Sequence, residues 1–289
     1  MGSILSSVGF VHLHVHSSYS LLESALTVTT LGKLAAADKM PALALTDTNN
    51  LFGGLEFSEK LKGLGIQPIA GVQLSVAFEE QDPAQRSVHA RDFPHIVLLA
   101  QDEEGYGNLM RLTSWTYLDT DPSEKPHVPL DRVLANSSGL IALTGGFGGP
   151  LDQALREGRS ESAEARLKAL RGAFDGRLYV ELQRHGLPEQ AAAEPELLRL
   201  AYDLGLPIVA TNEPFFAQPD DYEAHDALLA IAAGRLMSDE NRRRVTPQHD
   251  FKTRAQMADL FSDLPEALSS SVEIAMRCAY RIRTRKPIL

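Results

Sequence analysis

Residues 10–20 read FVHLHVHSSYS and place His12, His14 and His16 at every second position. In a β-strand, residues two apart share a face. The alternation therefore predicts one strand with three imidazoles on one side and Val11, Leu13 and Val15 on the other. Two imidazoles so spaced can converge on one ion at roughly 2.0–2.1 Å from each nitrogen. Buried histidines that merely hydrogen-bond inside a barrel would give the same pattern. What the rest of the chain brings to this strand decides between the two.

The chain has 289 residues, 44% of them hydrophobic, enough for one large α/β barrel or two modest domains. Its one cysteine, Cys278, excludes an internal disulfide and fits a reducing cytosol. No apolar run approaches the roughly 18 residues of a membrane-spanning helix, and the start MGSILSSVGF lacks a secretion signal. A cytoplasmic protein without membrane partners is expected. The net charge of −10 argues against a domain built to grip phosphate backbones. The basic residues gather late, at Arg242–Arg244 and from Arg277 to Lys286. They read as solvated helix faces or ends, with a single-stranded DNA contact at Arg242–Arg244 as the functional alternative.

Short apolar runs alternate with helical stretches. FVHLHV, ALALT, QPIAGVQLSV, HIVLLA, GLIALT, LYVELQ and LPIVAT predict about seven strands, most followed by a helix. Such alternation predicts parallel βαβ units. Most runs end in a polar residue: His16, Asp47, Gln73, Gln101, Thr144, Gln183, Thr211 with Asn212. Closed α/β barrels and open doubly wound sheets both place chemistry at the carboxyl ends of their strands. The barrel is preferred because no glycine-rich phosphate loop follows the first strand. The expected fold is α/β, a distorted (β/α)7 TIM-like barrel over residues 10–216. A disordered stretch, 1–9, precedes it and a helical extension, 217–289, follows it. Glu79–Asp92 and Asp119–Pro129 read as the mobile loops.

HLHVHSSYSLLES, MPALALTDTNNLFGGLEF and GIQPIAGVQLSV carry a specific resemblance. So do PHIVLLAQDEEGYGNLMRLTSWTY, YVELQRHGLPEQ, PIVATNEPFF and RRRVTPQHDFK further on. In this order they resemble the polymerase-and-histidinol-phosphatase (PHP) domain, in the version that opens the alpha subunit of bacterial replicative DNA polymerase III, alphaproteobacterial forms especially. The resemblance covers about Phe10 to Leu289 and implies an N-terminal fragment of a longer subunit. It also implies a trinuclear metal hydrolase site in active members. The family's H-x-H maps to His14 and His16. Its turn acid maps to Glu23, and its fourth-strand histidine to His95. Four further ligand positions hold Thr48, Gln73, Gly146 and Phe215 here, and the last acid survives only as Glu213, one methylene longer.

That leaves His14, His16, Glu23 and His95 as a remnant metal set, with Glu213 as a doubtful fifth. Several divalent ions held together need several anionic ligands, which this set lacks. The expectation is no cofactor, or at most one residual Zn or Mn. The polymerase Mg ions belong to the palm of the parent subunit, beyond Leu289. The chain then reads as a non-catalytic scaffold that joins the rest of the alpha subunit. It would dock the proofreading exonuclease subunit epsilon and meet DNA only through the full polymerase. An active metal-dependent phosphoesterase or 3′–5′ exonuclease is the alternative. TGGFGG, Thr144 to Gly149, lacks the ending of a P-loop. Cys278, His225 and Trp115 read as packing residues.

Overall fold

A computed structural model describes residues 9–78 and 92–284. The expected loop at Glu79–Asp92, except Asp92, and the expected disordered stretch 1–9, except Gly9, lie outside those residues. Seven strands are present: β1 (Ala42–Leu45), β2 (Gln67–Ala77), β3 (His95–Ala100), β4 (Val128–Pro129), β5 (Leu140–Leu143), β6 (Leu178–Leu182) and β7 (Ile208–Ala210). Between and after them come α1 (Val28–Ala37), α2 (Gly54–Gly63), α3 (Glu103–Leu118), α4 (Leu130–Ala135) and α5 (Pro150–Arg156). The remaining helices are α6 (Ser160–Ala173), α7 (Pro188–Asp203), α8 (Tyr222–Ala233), α9 (Arg254–Leu260) and α10 (Pro265–Arg277).

The strands form one curled sheet in the order β1-β2-β3-β5-β6-β7, with β4 beside the end of β2. Alternate residues sort to its two faces, as strand geometry requires. Val11, Leu13, Ala42, Ala44, Ile69, Val97, Leu99, Ile141, Leu143, Tyr179 and Val209 form one cluster inside the curl. Ile96, Leu98, Leu140, Ala142, Val180 and Ile208 face the helices. Ile274, Ala275 and Cys278 join the inner cluster, so the end of α10 closes the barrel floor. This is the distorted TIM-like barrel expected from the sequence.

Two details depart from expectation. β3 runs antiparallel to both β2 and β5, so the sheet is not built of parallel units throughout. The reversal decides where the fourth run contributes. The first residue of an antiparallel strand lies level with the last residues of its parallel neighbours, so His95 reaches the functional rim. Gln101, at the other end of β3, is carried to the opposite end, where its N–H meets Gly139 O at 2.9 Å.

The first expected run is also not a regular strand. Residues 10–16 lie beside β1, where Ala44 N–H donates to His12 O at 2.9 Å and Thr46 N–H to Val15 O at 2.8 Å. A bend at His14 interrupts them and shifts the alternation. Val11 and Leu13 point inward before it, and Val15 packs outward after it. The three histidines therefore do not share a face. His12 is turned away, wedged between Phe10 and Phe251 with Nε2 at 2.8 Å from Lys252 O.

The expected loop Asp119–Pro129 carries β4, and Asn49 Nδ2 donates to Pro126 O across the rim at 3.4 Å. One close approach makes a test of the packing. A Cβ on Gly105, in the first turn of α3, would stand 1.9 Å from Gly139 O. Backbone cannot yield as a side chain can, so Gly105→Ala should lower unfolding free energy by about 1–3 kcal/mol in urea denaturation.

Candidate metal centre at the rim of the barrel

The rim of the barrel surrounds a cleft of 620 Å³, lined among others by Glu23, Thr48, Gln73, His95, Glu213 and Phe215. Of the residues singled out in the sequence, the structure brings four together. His14, His95 and Glu213 have ligand atoms within 4.8 Å of one another. His16 Nε2 lies 3.4 Å from Glu213 Oε1. Glu23 stands apart at the rim, where its carboxylate accepts from Thr48 Oγ1 at 2.7 Å.

His14 is the best-partnered side chain of the group. Its Nδ1 lies 2.7 Å from Glu181 Oε1 and its Nε2 2.7 Å from Gln73 Oε1. With a carboxylate oxygen at Nδ1 and the amide oxygen assigned at Nε2, the surroundings favour the doubly protonated ring. Burial alone would lower its pKa, but Glu181, then Glu213, outweigh burial and raise it to about 9. Glu213 answers this charge. Burial would raise its pKa, but the fields of His14, His16 and His95 hold it well below the usual carboxylate range. Glu213 takes φ +48°, left-handed for a residue with a side chain. Strain of that kind persists only where surroundings enforce it.

Glu181 is the residue that sequence reasoning missed. It is fully buried in β6 and accepts from Gly145 N–H at 2.9 Å and Thr211 Oγ1 at 2.5 Å, besides His14. An acid inside the apolar run LYVELQ was the available signal, because carboxylates are almost never fully buried unpaired. Gln183, two residues on, accepts from Phe147 N–H at 3.1 Å and donates to Glu213 at 3.2 Å. The TGGFGG loop thus turns its N–H groups on internal acceptors. Gly145, at φ +86°, must be glycine, since a Cβ there would sit 2.0 Å from His95 O.

Gln73, Thr48 and Phe215 take part in the same network. Gln73 Nε2 donates to Thr48 Oγ1 at 3.3 Å, which passes the chain on to Glu23. Phe215 stacks on His16, centroids 4.9 Å apart, where a ligand would have competed for the space. His95 Nε2 is buried without a hydrogen-bond partner, and burial pushes its pKa down to about 4. His16 Nε2 is likewise buried, with Glu213 Oε1 at 3.4 Å as its nearest acid.

These donors fit one ion. His14, His95 and Glu213, with ligand atoms within 4.8 Å of one another, suit a single Zn or Mn. His14 Nε2 faces Gln73 Oε1 at 2.7 Å, so to serve as a ligand it would have to release its proton and that partner.

Of the arginine run expected to be solvated, Arg243 and Arg244 are exposed, and Arg242 is tied down. Arg242 is buried and clamps Asp226 with two hydrogen bonds, at 2.6 and 2.5 Å. Arg244 donates to Met237 O and Asp239 O at 3.1 and 3.4 Å. Arg243 lies over the Phe215 ring, 5.7 Å from its centroid, and 4.0 Å from Glu23.

A barrel with two histidines of an H-x-H on its rim, a third opening an antiparallel strand and an acid after the last strand defines a class. The chain belongs to the PHP domain family, whose profile matches residues 12–185. It is 50% identical over 97% of its length to the DNA polymerase III subunit alpha of Caulobacter vibrioides, covering 24% of that protein. It is 37% identical over 97% of its length to the DNA polymerase III subunit alpha of Rickettsia bellii, covering 23% of it. The chain thus spans about a quarter of the length of the curated relatives it matches. Among solved structures, an amidohydrolase of Chromobacterium violaceum aligns at 17% identity and TM-score 0.46, over 71% of this chain and 87% of that one. No helix among the described residues is long and apolar enough to cross a membrane.

Proposed function

We propose that this chain is the N-terminal PHP domain of a cytoplasmic replicative DNA polymerase III alpha subunit, with residues 10–216 as the barrel and 217–289 as a helical extension. Its metal site, His14, His16, Glu23, His95 and Glu213, is a remnant that does no hydrolysis. The parent subunit would add nucleotides to a primer 3′ end with Mg ions held in its own palm. The domain would serve as scaffold for that subunit and as a dock for the proofreading exonuclease subunit epsilon. It would meet DNA only through the whole polymerase. The supporting relatives carry that subunit's name at up to 50% identity across this region. Co-purification of the two full-length subunits, and its loss when the barrel is deleted, tests the docking.

One observation carries the reading of an inactive site. Both nitrogens of His14 are committed to protein acceptors, Glu181 and Gln73, each at 2.7 Å. A ligand histidine must offer a lone pair. The positive charge of the imidazolium does locally what a bound cation would do. It offsets one of the two negative charges of Glu181 and Glu213. If one Zn or Mn binds, His14, His95 and Glu213, whose ligand atoms lie within 4.8 Å of one another, would hold it after His14 Nε2 gives up its proton, and it would polarise a bound water.

Restoring the family's ligands is the direct test. The variant Thr48→His, Gln73→Glu, Phe215→His returns three ligands, one of them anionic. Calorimetric titration with Mn or Zn should show at most one weak site in the wild-type protein. The variant should show added sites, at least about tenfold tighter. Two or three tight sites in the wild type, unchanged in the variant, would favour the phosphoesterase.

A further inference from the structure

Four large apolar side chains stand together at the rim beside β1, outside the three hydrophobic clusters. Leu21 and Leu22 lie in the turn after the histidine segment. Phe52 and Leu55 lie where the chain enters α2. Leu21 is 72% exposed and Phe52 68%. The two turns form one surface. Asn50 Nδ2 donates to Tyr19 O at 3.0 Å, and Tyr19 OH to Glu56 at 2.8 Å. A Cβ on Gly53 would already meet the Tyr19 ring at 2.7 Å.

Leu22 adds a second anomaly. It takes φ +61°, a backbone state that side chains rarely adopt, yet its side chain is half exposed. Strain without burial gains nothing for the barrel itself. Large apolar side chains exposed on two neighbouring turns are a candidate interaction surface.

The path of the chain says what could cover it. At the barrel floor, Gln67 Nε2 donates to Ala275 O and Cys278 O at 2.7 and 3.0 Å. The next residues climb the wall. Tyr280 stacks on Tyr106 at 5.4 Å, and Arg281 pairs with Glu59 at 3.0 Å. Ile282 O accepts from Ser58 Oγ at 2.7 Å, and its side chain closes a small apolar pocket with Leu45, Gly54 and Phe57. This segment therefore reaches the first turn of α2, the turn that carries Leu55. The curated relatives are about four times as long as the part this chain matches.

We infer that Leu21, Leu22, Phe52 and Leu55 seat an apolar segment of the same polypeptide, from the part that follows residue 289 in the full-length subunit. The inference rests on the reading of the chain as the N-terminal part of that subunit. A covalent tether delivered to the edge of the patch raises the local concentration of whatever follows it. A second copy or a separate subunit has no such advantage. The exposed apolar group at the end of α8, Ile231 with Leu236 and Met237, has no chain segment led to it and serves as the control.

The test uses the full-length subunit with the photoreactive residue p-benzoylphenylalanine at position 52, 21 or 231. Positions 52 and 21 should crosslink within the chain to residues beyond 289, at least about tenfold more than position 231. The paired substitution Leu21→Ser with Phe52→Ser should speed proteolytic cutting between the barrel and the remainder by about tenfold, with the melting of the barrel unchanged. Crosslinks only to a second copy or to the exonuclease subunit, or none above the control, would overturn the inference. A reading frame that ends at Leu289 would remove the polymerase reading and this inference with it. A frame of the relatives' length with a bare patch would remove the inference alone.

Discussion

Replacing Glu181 with alanine should cost about 3–5 kcal/mol of unfolding free energy at pH 7, the range for removing one partner of a buried ion pair. The site predicts the upper part of that range. Glu181 is fully buried and joins four elements: His14 of the first segment, Gly145 of the glycine loop, Thr211 after β7, and its own β6. Its loss leaves an imidazolium buried with Gln73 and the more distant Glu213 as its remaining acceptors. Glu181→Gln keeps the shape and one acceptor, and should cost less. In a double-mutant cycle, His14→Ala on the Glu181→Ala background should add little further loss. A cost near that of a surface ion pair, under about 1 kcal/mol, would show that the network does not hold the rim.

Acid should unfold this protein early. Burial lowers His12, His95 and His185 to about 4 and His249 to about 2, against an ordinary value of 6.5. Below pH 6.5 the unfolded chain binds protons at these positions and the folded chain does not. The stability they allow is present above 6.5 and lost as pH falls toward 4. Roughly three to four protons should be taken up on unfolding near pH 5. Glu213, depressed in the fold, adds to the loss below its ordinary 4.5. His14 acts in the opposite direction. Its folded value of about 9 gives a contribution complete below 6.5 and lost as pH rises through 9. Urea midpoints should therefore be highest near neutrality and fall on both sides, steeply in acid. A midpoint unchanged between pH 7 and pH 5 would contradict the burial of neutral histidines.

Much of the fold is legible in the sequence because its signals are local. Six of the seven expected runs became strands, since an apolar run between helical stretches has few alternatives. Strand direction is not local. Nothing in HIVLLA says that β3 runs antiparallel, yet that direction brings His95 to the rim. The bend at His14 is equally hidden. Perfect alternation predicted three histidines on one face, and tertiary contacts with Lys252 and Phe251 turned His12 away. Of the site, the ligand remnants were readable from the motif blocks. Their partners were not, because Glu181, Gln183 and Thr211 matter through contacts more than 160 residues from His14 in sequence. The strand ends Gln73, Gln183 and Thr211 did signal a polar rim. What the rim does follows from how its hydrogen bonds close.

Metal content and turnover, measured together, test the central claim most directly. Protein purified without chelators should carry at most one Zn or Mn per chain by elemental analysis. It should not hydrolyse a phosphodiester above a His14→Ala control. Two or three tightly bound ions per chain, with turnover abolished by His14→Ala, would contradict the scaffold reading and establish a working phosphoesterase.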